Sequence, residues 1–378
     1  MKPKIMLIGL GDLGGIILEL LAREAFVGQI LVASRNLERG VARCNLARLA
    51  AMAHGFNPDI KFVQLDLNNQ EAVAETIQKA APELILSTAT MQTWWLPELL
   101  PPTQAALIKN AGFGVWLPVH LTLTMKFMQA IRAADYKGIT FTAPFPDVAN
   151  CILRRLDLTP TCGIGNVDEV VAKMRFLATE RLNTSFESVQ VYLVAHHALQ
   201  SVVFKTAKEE NPEKIPPFYL RIEHNGQDVT DSIKARELLL SPYPLTPGAA
   251  IHFLTAGSTV RLMRAFFSES RILLHTPAPE GLPGGYPVLV SREGVQPASI
   301  PGLTLNAAIT INEQSHRFDG IERIEPDGTA VFCQDSIAIL REALGYDCER
   351  LPPDESELRA NELITRFKEY AHQYGVKF

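Results

Sequence analysis

Over roughly the first 160 residues, short and wholly apolar runs alternate with longer stretches of helical period. KIMLIGL, QILVAS, IKFVQLDL and ELILSTA read as buried strands, and GGIILELLAREA, NLERGVARCNLARLAAMA and NNQEAVAETIQKAA as the helices between them. LPELLPPTQAALIKNA contains a further helix, broken near its start by Pro101 and Pro102. GVWLPV reads as a fifth strand, LTLTMKFMQAIRAA as a helix and GITFTAP as a sixth strand. Six strands in this rhythm suit a doubly wound parallel sheet, and right-handed crossovers give the order 3-2-1-4-5-6.

Beyond that point the pattern changes. VDEVVAKMRFLATERL predicts a helix, and SVQVYLVAHHALQSVVF alternates as an antiparallel strand does. FYLRIEHNGQDVT places a hairpin turn at Asn225–Gly226, while LTLNAAITIN and IERIEPDGTAVFC continue the strand-like meander. PGAAIHFLTAGSTVRLMRAFFSES predicts a long helix, residues 275–302 a long loop rich in Pro and Gly, and the C-terminal segment two amphipathic helices. The expected fold is α/β: an N-terminal parallel sheet, then an α+β domain with a mixed or antiparallel sheet. The expected domains span residues 1–150, 151–333 and 334–378, the last packing back on the first.

Composition narrows the function class. With 378 residues, 47% hydrophobic and 20% charged, the chain suits two domains of an ordinary globular protein. A net charge of −5 and no block of five like charges give no case for nucleic acid or an anionic membrane. No apolar run reaches the ~18 residues that span a bilayer. Five scattered cysteines without a C-x-x-C pair suit a reducing cytoplasm and offer neither a disulfide framework nor a metal site.

Gly9, Gly11 and Gly14 form G-x-G-x-x-G, with Asp12 and Leu13 inside it, between the first strand and the first helix. In that context the motif binds the pyrophosphate of a dinucleotide, as in a Rossmann sheet. About 20 residues on, where an acid would bind the ribose of NAD, stand Ser34, Arg35 and Asn36, with Arg39 one turn further. A hydroxyl and a guanidinium suit a 2′-phosphate, so NADP is the expected cofactor. Asp66 and Leu67 end the third strand, where Asp66 is either an adenine acceptor or a helix cap. Thr88, Ala89 and Thr90 end the fourth strand beside the expected cofactor path.

Substrate chemistry is expected at the carboxyl ends of the later strands. His120 stands at the mouth of the supposed fifth strand, suited to proton transfer or to holding a carboxylate. Asp147 and Asn150 open a helix after Pro144 and Pro146, as candidates for the reaction or as plain caps. His196 and His197, read as strand residues, face opposite ways, so at most one reaches a site. Arg154, Arg155 and Arg175 are possible carboxylate binders with nothing to choose among them.

The glycine turn with ASRN, then LDLNNQEAVAETIQKAAPELILSTA, resembles the NADP-binding half of saccharopine dehydrogenase-like and opine dehydrogenase-like oxidoreductases. PFPDVANCILRRLDLTPTCGIGNVDEV and GLPGGYPVLVSREGV are similar to stretches of bacterial members of the saccharopine dehydrogenase-like group. The resemblance implies a homodimer that transfers hydride between NADPH and a C=N bond joining an amine to a keto acid or aldehyde. The Lys–His couple of lysine-forming saccharopine dehydrogenases has no counterpart here, so their substrate is not carried over. Two alternatives stay open: a semialdehyde dehydrogenase-type enzyme with Cys151 as nucleophile, and a non-catalytic NADPH sensor.

Overall fold

The computed structural model describes residues 2–205, 207 and 211–378. Its first part runs β1 (Lys4–Ile8), α1 (Asp12–Leu21), β2 (Gln29–Ser34), α2 (Leu37–Ala53), β3 (Asp59–Gln64), α3 (Gln70–Ala80) and β4 (Leu84–Ser87). It continues through α4 (Pro102–Asn110), α5 (Leu117–Ala133), β5 (Ile139–Thr142), α6 (Pro146–Arg155) and β6 (Cys162–Gly163). The six strands form one parallel sheet in the order β3-β2-β1-β4-β5-β6. β1 and β4, at its centre, are apolar because helices cover both faces of the sheet.

Two strand assignments are corrected. GVWLPV is a 3₁₀ turn over Gly114–Trp116 leading into α5. Its apolar run reflects burial on all sides, and Pro118 sits in the first helical turn, where a missing N–H costs nothing. GITFTAP is therefore the fifth strand, and the sixth is the two-residue β6 at Cys162–Gly163, too short to show in the pattern.

The second part contains α7 (Val167–Leu182), β7 (Val189–Val194), α8 (Gln200–Val203), β8 (Tyr219–His224), β9 (Gln227–Asp228), α9 (Ala235–Leu240) and α10 (His252–Phe266). There follow β10 (Ile272–Pro277), β11 (Gly285–Ser291), β12 (Gly294–Pro297), α11 (Leu305–Ser315), β13 (Ile321–Ile324), β14 (Ala330–Phe332), α12 (Gln334–Leu344), β15 (Arg350–Leu351) and α13 (Ser356–Gln373). The strands make three small antiparallel sheets, β7-β8-β9, β10-β11-β12 and β13-β14-β15.

LTLNAAITIN is helical rather than a strand. Its buried residues Ala308, Asn312 and Ser315 fall at helical spacing, and the Thr304 side chain caps the helix by accepting from the Ala307 N–H. Residues 275–302 are half strand, carrying the end of β10 and all of β11 and β12, with turns and a 3₁₀ piece between them. The strand containing SVQVYLV stops at Val194, and His197 already begins a 3₁₀ turn.

Helix packing is prominent among the contacts that join the two parts. α10 packs along α1, fastened at the surface by an Arg264–Glu24 ion pair of 2.6 Å. α13 packs along α5, where Phe367 meets the Trp116 ring edge-on at 5.1 Å and shares a core with Phe127 and Ile131. No described helix is long and apolar enough to cross a membrane.

Candidate active site

One cleft of about 1480 Å³ follows the carboxyl edge of the parallel sheet and continues under the second part of the chain. The glycine turn forms its floor. Gly9 holds φ at +96°, and a Cβ there would come within 2.8 Å of Thr88 Oγ1, whose hydroxyl donates to the Gly9 carbonyl at 3.1 Å. A Cβ on Gly14 would lie 2.2 Å from that same carbonyl oxygen, so helix and strand approach closely. Gly11 differs: a Cβ there would meet nothing within 4 Å. The space it leaves open is cleft, at the N-terminus of α1, where backbone N–H groups and the helix dipole favour an anion.

At one end the cleft is lined by Ser34, Arg35, Asn36, Arg39, Asp66 and Leu67. Asn36 caps α2 by accepting from the Arg39 N–H at 2.9 Å. Neither the Arg35 nor the Arg39 guanidinium has a hydrogen bond or ion pair among the described residues. Asp66 accepts from the Asn68 N–H at 3.0 Å, and the cap of α3 is Asn69. Asp12, Leu13 and Ala89 also line the cleft. These residues fit a dinucleotide carrying an additional phosphate, with the pyrophosphate over Gly11.

The other end gathers histidines and acids. His197 Nδ1 lies 2.8 Å from Asp319 Oδ2, and the buried His196 Nδ1 lies 3.3 Å from the same oxygen. The expectation that only one of these histidines reaches a site is corrected in its premise. The chain leaves the strand before them, so both imidazoles turn toward Asp319, while only His197 lines the cleft. Burial opposes charge on His197, yet Asp319, Asp147 and Glu169 outweigh it and raise its pKa above the ordinary histidine value. Burial would likewise raise Asp319, but the His197 charge and hydrogen bonds from both histidines hold it well below the usual carboxylate range. With Nδ1 committed to Asp319, His197 Nε2 makes no hydrogen bond among the described residues and is the nitrogen open to a substrate.

His120 lies in the first turn of α5 rather than at a strand mouth, and it does line the cleft. Thr90 Oγ1 stands 3.1 Å from its Nδ1 and 3.2 Å from the Val119 carbonyl. The hydroxyl donates to a carbonyl, so Nδ1–H donates to Thr90 and the buried Nε2 keeps a lone pair without a partner. Burial, then the His197 charge, push its pKa down to about 3, so it is neutral. Phe113 stacks on His120 at 5.3 Å and touches His197 at 4.5 Å, separating the two rings.

Asp147 and Asn150 are corrected: both are fully buried in α6 and neither lines the cleft. Asp147 accepts from the His197 backbone N–H at 2.9 Å and from Asn166 Nδ2, so it is a positioning residue for two cleft walls. Asn150 Oδ1 accepts from Thr142 at 2.9 Å. Cys151 is buried behind them; its thiol donates to the Asp147 carbonyl, and burial pushes its pKa up to about 12, which removes it as a nucleophile. Arg154, Arg155 and Arg175 lie outside the cleft, and Arg175 stacks on Phe186 at 3.6 Å.

The sequence reading omits Asp319, Glu169 and His252. Asp319 is 122 residues from His197, and no local spacing connects them. His252, opening α10, accepts from Trp94 Nε1 at 2.9 Å, while the neighbouring Trp95 donates to Asp12 on the glycine turn at 3.1 Å. The loop after β4 thereby straps the glycine turn to the second part of the molecule.

The chain's likenesses agree with this geometry. Among curated proteins no sequence matches it. Solved structures share the fold: malate dehydrogenase from Plasmodium falciparum in complex with NADH superposes with a TM-score of 0.56 at 16% identity, covering 83% of this chain and 95% of that one. Malate dehydrogenase from Cryptosporidium parvum gives 0.57 at 14% identity, covering 84% and 97%. Lactate dehydrogenase from Eimeria maxima with NADH and oxamate gives 0.56 at 13% identity, covering 84% and 92%. Residues 5–92 match the family model of the saccharopine dehydrogenase NADP binding domain. Over those residues, with the glycine turn and its open cradle, the chain is similar to the saccharopine dehydrogenase NADP binding domain, which supports an NAD(P)-dependent oxidoreductase.

Proposed function

We propose that the protein uses NADP(H) in preference to NAD(H) and acts on a CH–NH bond joining an amine to a keto acid or aldehyde. The observation that carries the reading is the His197–Asp319 pair standing in the same cleft as the glycine turn. Bound cofactor supplies or accepts the hydride at carbon. What the protein adds is orientation and a proton. In the reducing direction His197 Nε2–H gives its proton to the substrate nitrogen as the adjacent carbon gains hydride, and solvent then reprotonates the ring. Asp319 fixes the tautomer and stabilises the imidazolium. His120, neutral, offers Nε2 as an acceptor on the opposite side of Phe113. The CH–NH assignment rests on the family resemblance, and the preference for NADP(H) on Ser34, Arg35 and Arg39.

The test is NADPH oxidation in the presence of amine plus keto-acid or aldehyde pairs, against each carbonyl compound alone. Turnover that needs both partners supports the reading. Turnover of a carbonyl compound at the same rate without an amine defeats it.

A further inference from the structure

We propose that Glu169 is the seat for a cationic nitrogen, so that the amine partner docks in the cleft as an alkylammonium group. This deepens the CH–NH reading and rests on it.

Glu169 lies in the first turn of α7, is 4% exposed, and lines the same cleft as His197. Its Oε1 accepts from Thr255 Oγ1 of α10 at 2.6 Å, and its Oε2 from Gln200 Nε2 of α8 at 2.8 Å. Three elements therefore converge on one carboxylate, and both donors are neutral. The adjacent Asp168 shows the contrast: Arg261 of α10 pairs with it, and Ser258 donates to it at 2.6 Å. Among the described residues no lysine or arginine pairs with Glu169. The positive group acting on it is His197, and that ring is committed to Asp319.

The backbone makes room for this acid. Gly165 holds φ at +83°, and a Cβ there would come within 2.9 Å of Glu169 Oε1. Burial pushes the Glu169 pKa up to about 7; Thr255, Gln200 and His197 lower it, while Asp168 raises it. A buried carboxylate without a counter-charge is costly unless a cation or a proton arrives. Each oxygen keeps acceptor capacity after its single hydrogen bond, enough to take two of the three donors of an ammonium group.

The experiment titrates NADPH-saturated protein with n-butylamine and, in parallel, n-butanol, by calorimetry. The amine is expected to bind at least tenfold more tightly than the alcohol, with affinity rising from pH 6 to 8 as the carboxyl ionises. Glu169→Gln is expected to lose at least tenfold in amine affinity and its pH dependence, with NADPH affinity unchanged; Glu169→Asp should recover part of the loss. Equal binding of amine and alcohol by the unaltered protein overturns the proposal, as does undiminished amine affinity in a folded Glu169→Gln protein. If amine–carbonyl pairs turn over but Glu169→Gln leaves the KM for amine unchanged, the seat is overturned and the CH–NH reading stands. If the amine binds through Glu169 and no such pair turns over, the seat stands and the reaction reading falls.

Discussion

At His197 the direction of the pKa shift predicts how activity depends on pH. The proposed reducing step needs the imidazolium, and Asp319 keeps the proton on beyond the ordinary pKa of about 6.5. NADPH oxidation should therefore hold through pH 6.5 and decline only as pH rises through the elevated value. Rate measurements from pH 6 to 9 check this. Asp319→Asn should move the decline to lower pH. His197→Asn should reduce kcat by about 10²–10⁴, the range for a lost general acid, with NADPH affinity retained. At the other end of the cleft, Arg35→Ala would remove the proposed charge-assisted contact to the 2′-phosphate, worth about 1.5–3 kcal/mol. NADPH should then bind roughly 10- to 150-fold more weakly while NADH binding hardly changes, as fluorescence titration would show.

At the scale of elements, the glycine turn separates two roles within one motif. Gly11→Ala meets no atom in the protein, so its thermal midpoint without cofactor should match the parent, while its NADPH affinity should fall at least tenfold. Gly14→Ala places a Cβ against the Gly9 carbonyl and must shift α1, so both stability and affinity should fall. Melting curves with and without NADPH distinguish the two outcomes. The turn was readable because its function is local: closely spaced glycines, a strand before and a helix after. GVWLPV was misread for the complementary reason. A short run buried on every side has no period, and only Pro118 hinted that the following residues begin a helix. LTLNAAITIN alternates by eye, yet what decides its state is Ala308, Asn312 and Ser315 facing inward together.

For the whole molecule, buried histidines govern behaviour in acid. His120, His275 and His316 are held at about 3 by burial, so the folded protein keeps them neutral. Below about pH 6.5 the unfolded chain takes up protons there that the folded chain refuses, at roughly 1.4 kcal/mol per pH unit for each group. Stability should fall as pH drops from 6.5 toward 4, which urea unfolding at several pH values would measure. His197 has the opposite sign: its contribution is complete below 6.5 and is lost as pH rises through its raised pKa. The stability maximum should therefore lie near neutrality. Where α13 seals α5, Phe367→Ala should cost about 3–5 kcal/mol by leaving a cavity against Trp116, with little change in NADPH affinity.

The sequence alone determined the parallel sheet's first four strands, the doubly wound pattern and the cradle at Gly9, Gly11 and Gly14, because these depend on apolar periodicity and on residues adjacent in the chain. It also offered Arg35, which lines the cleft, as the candidate partner of an extra phosphate. Only the tertiary structure decided the chemical end. His197, Asp319 and Glu169 come from three separate elements, and a pairing that spans 122 residues leaves no local trace. The same packing moved Asp147 from candidate catalyst to positioning residue: burial beneath the cleft, with its oxygens given to His197 and Asn166, leaves it nothing to offer a substrate.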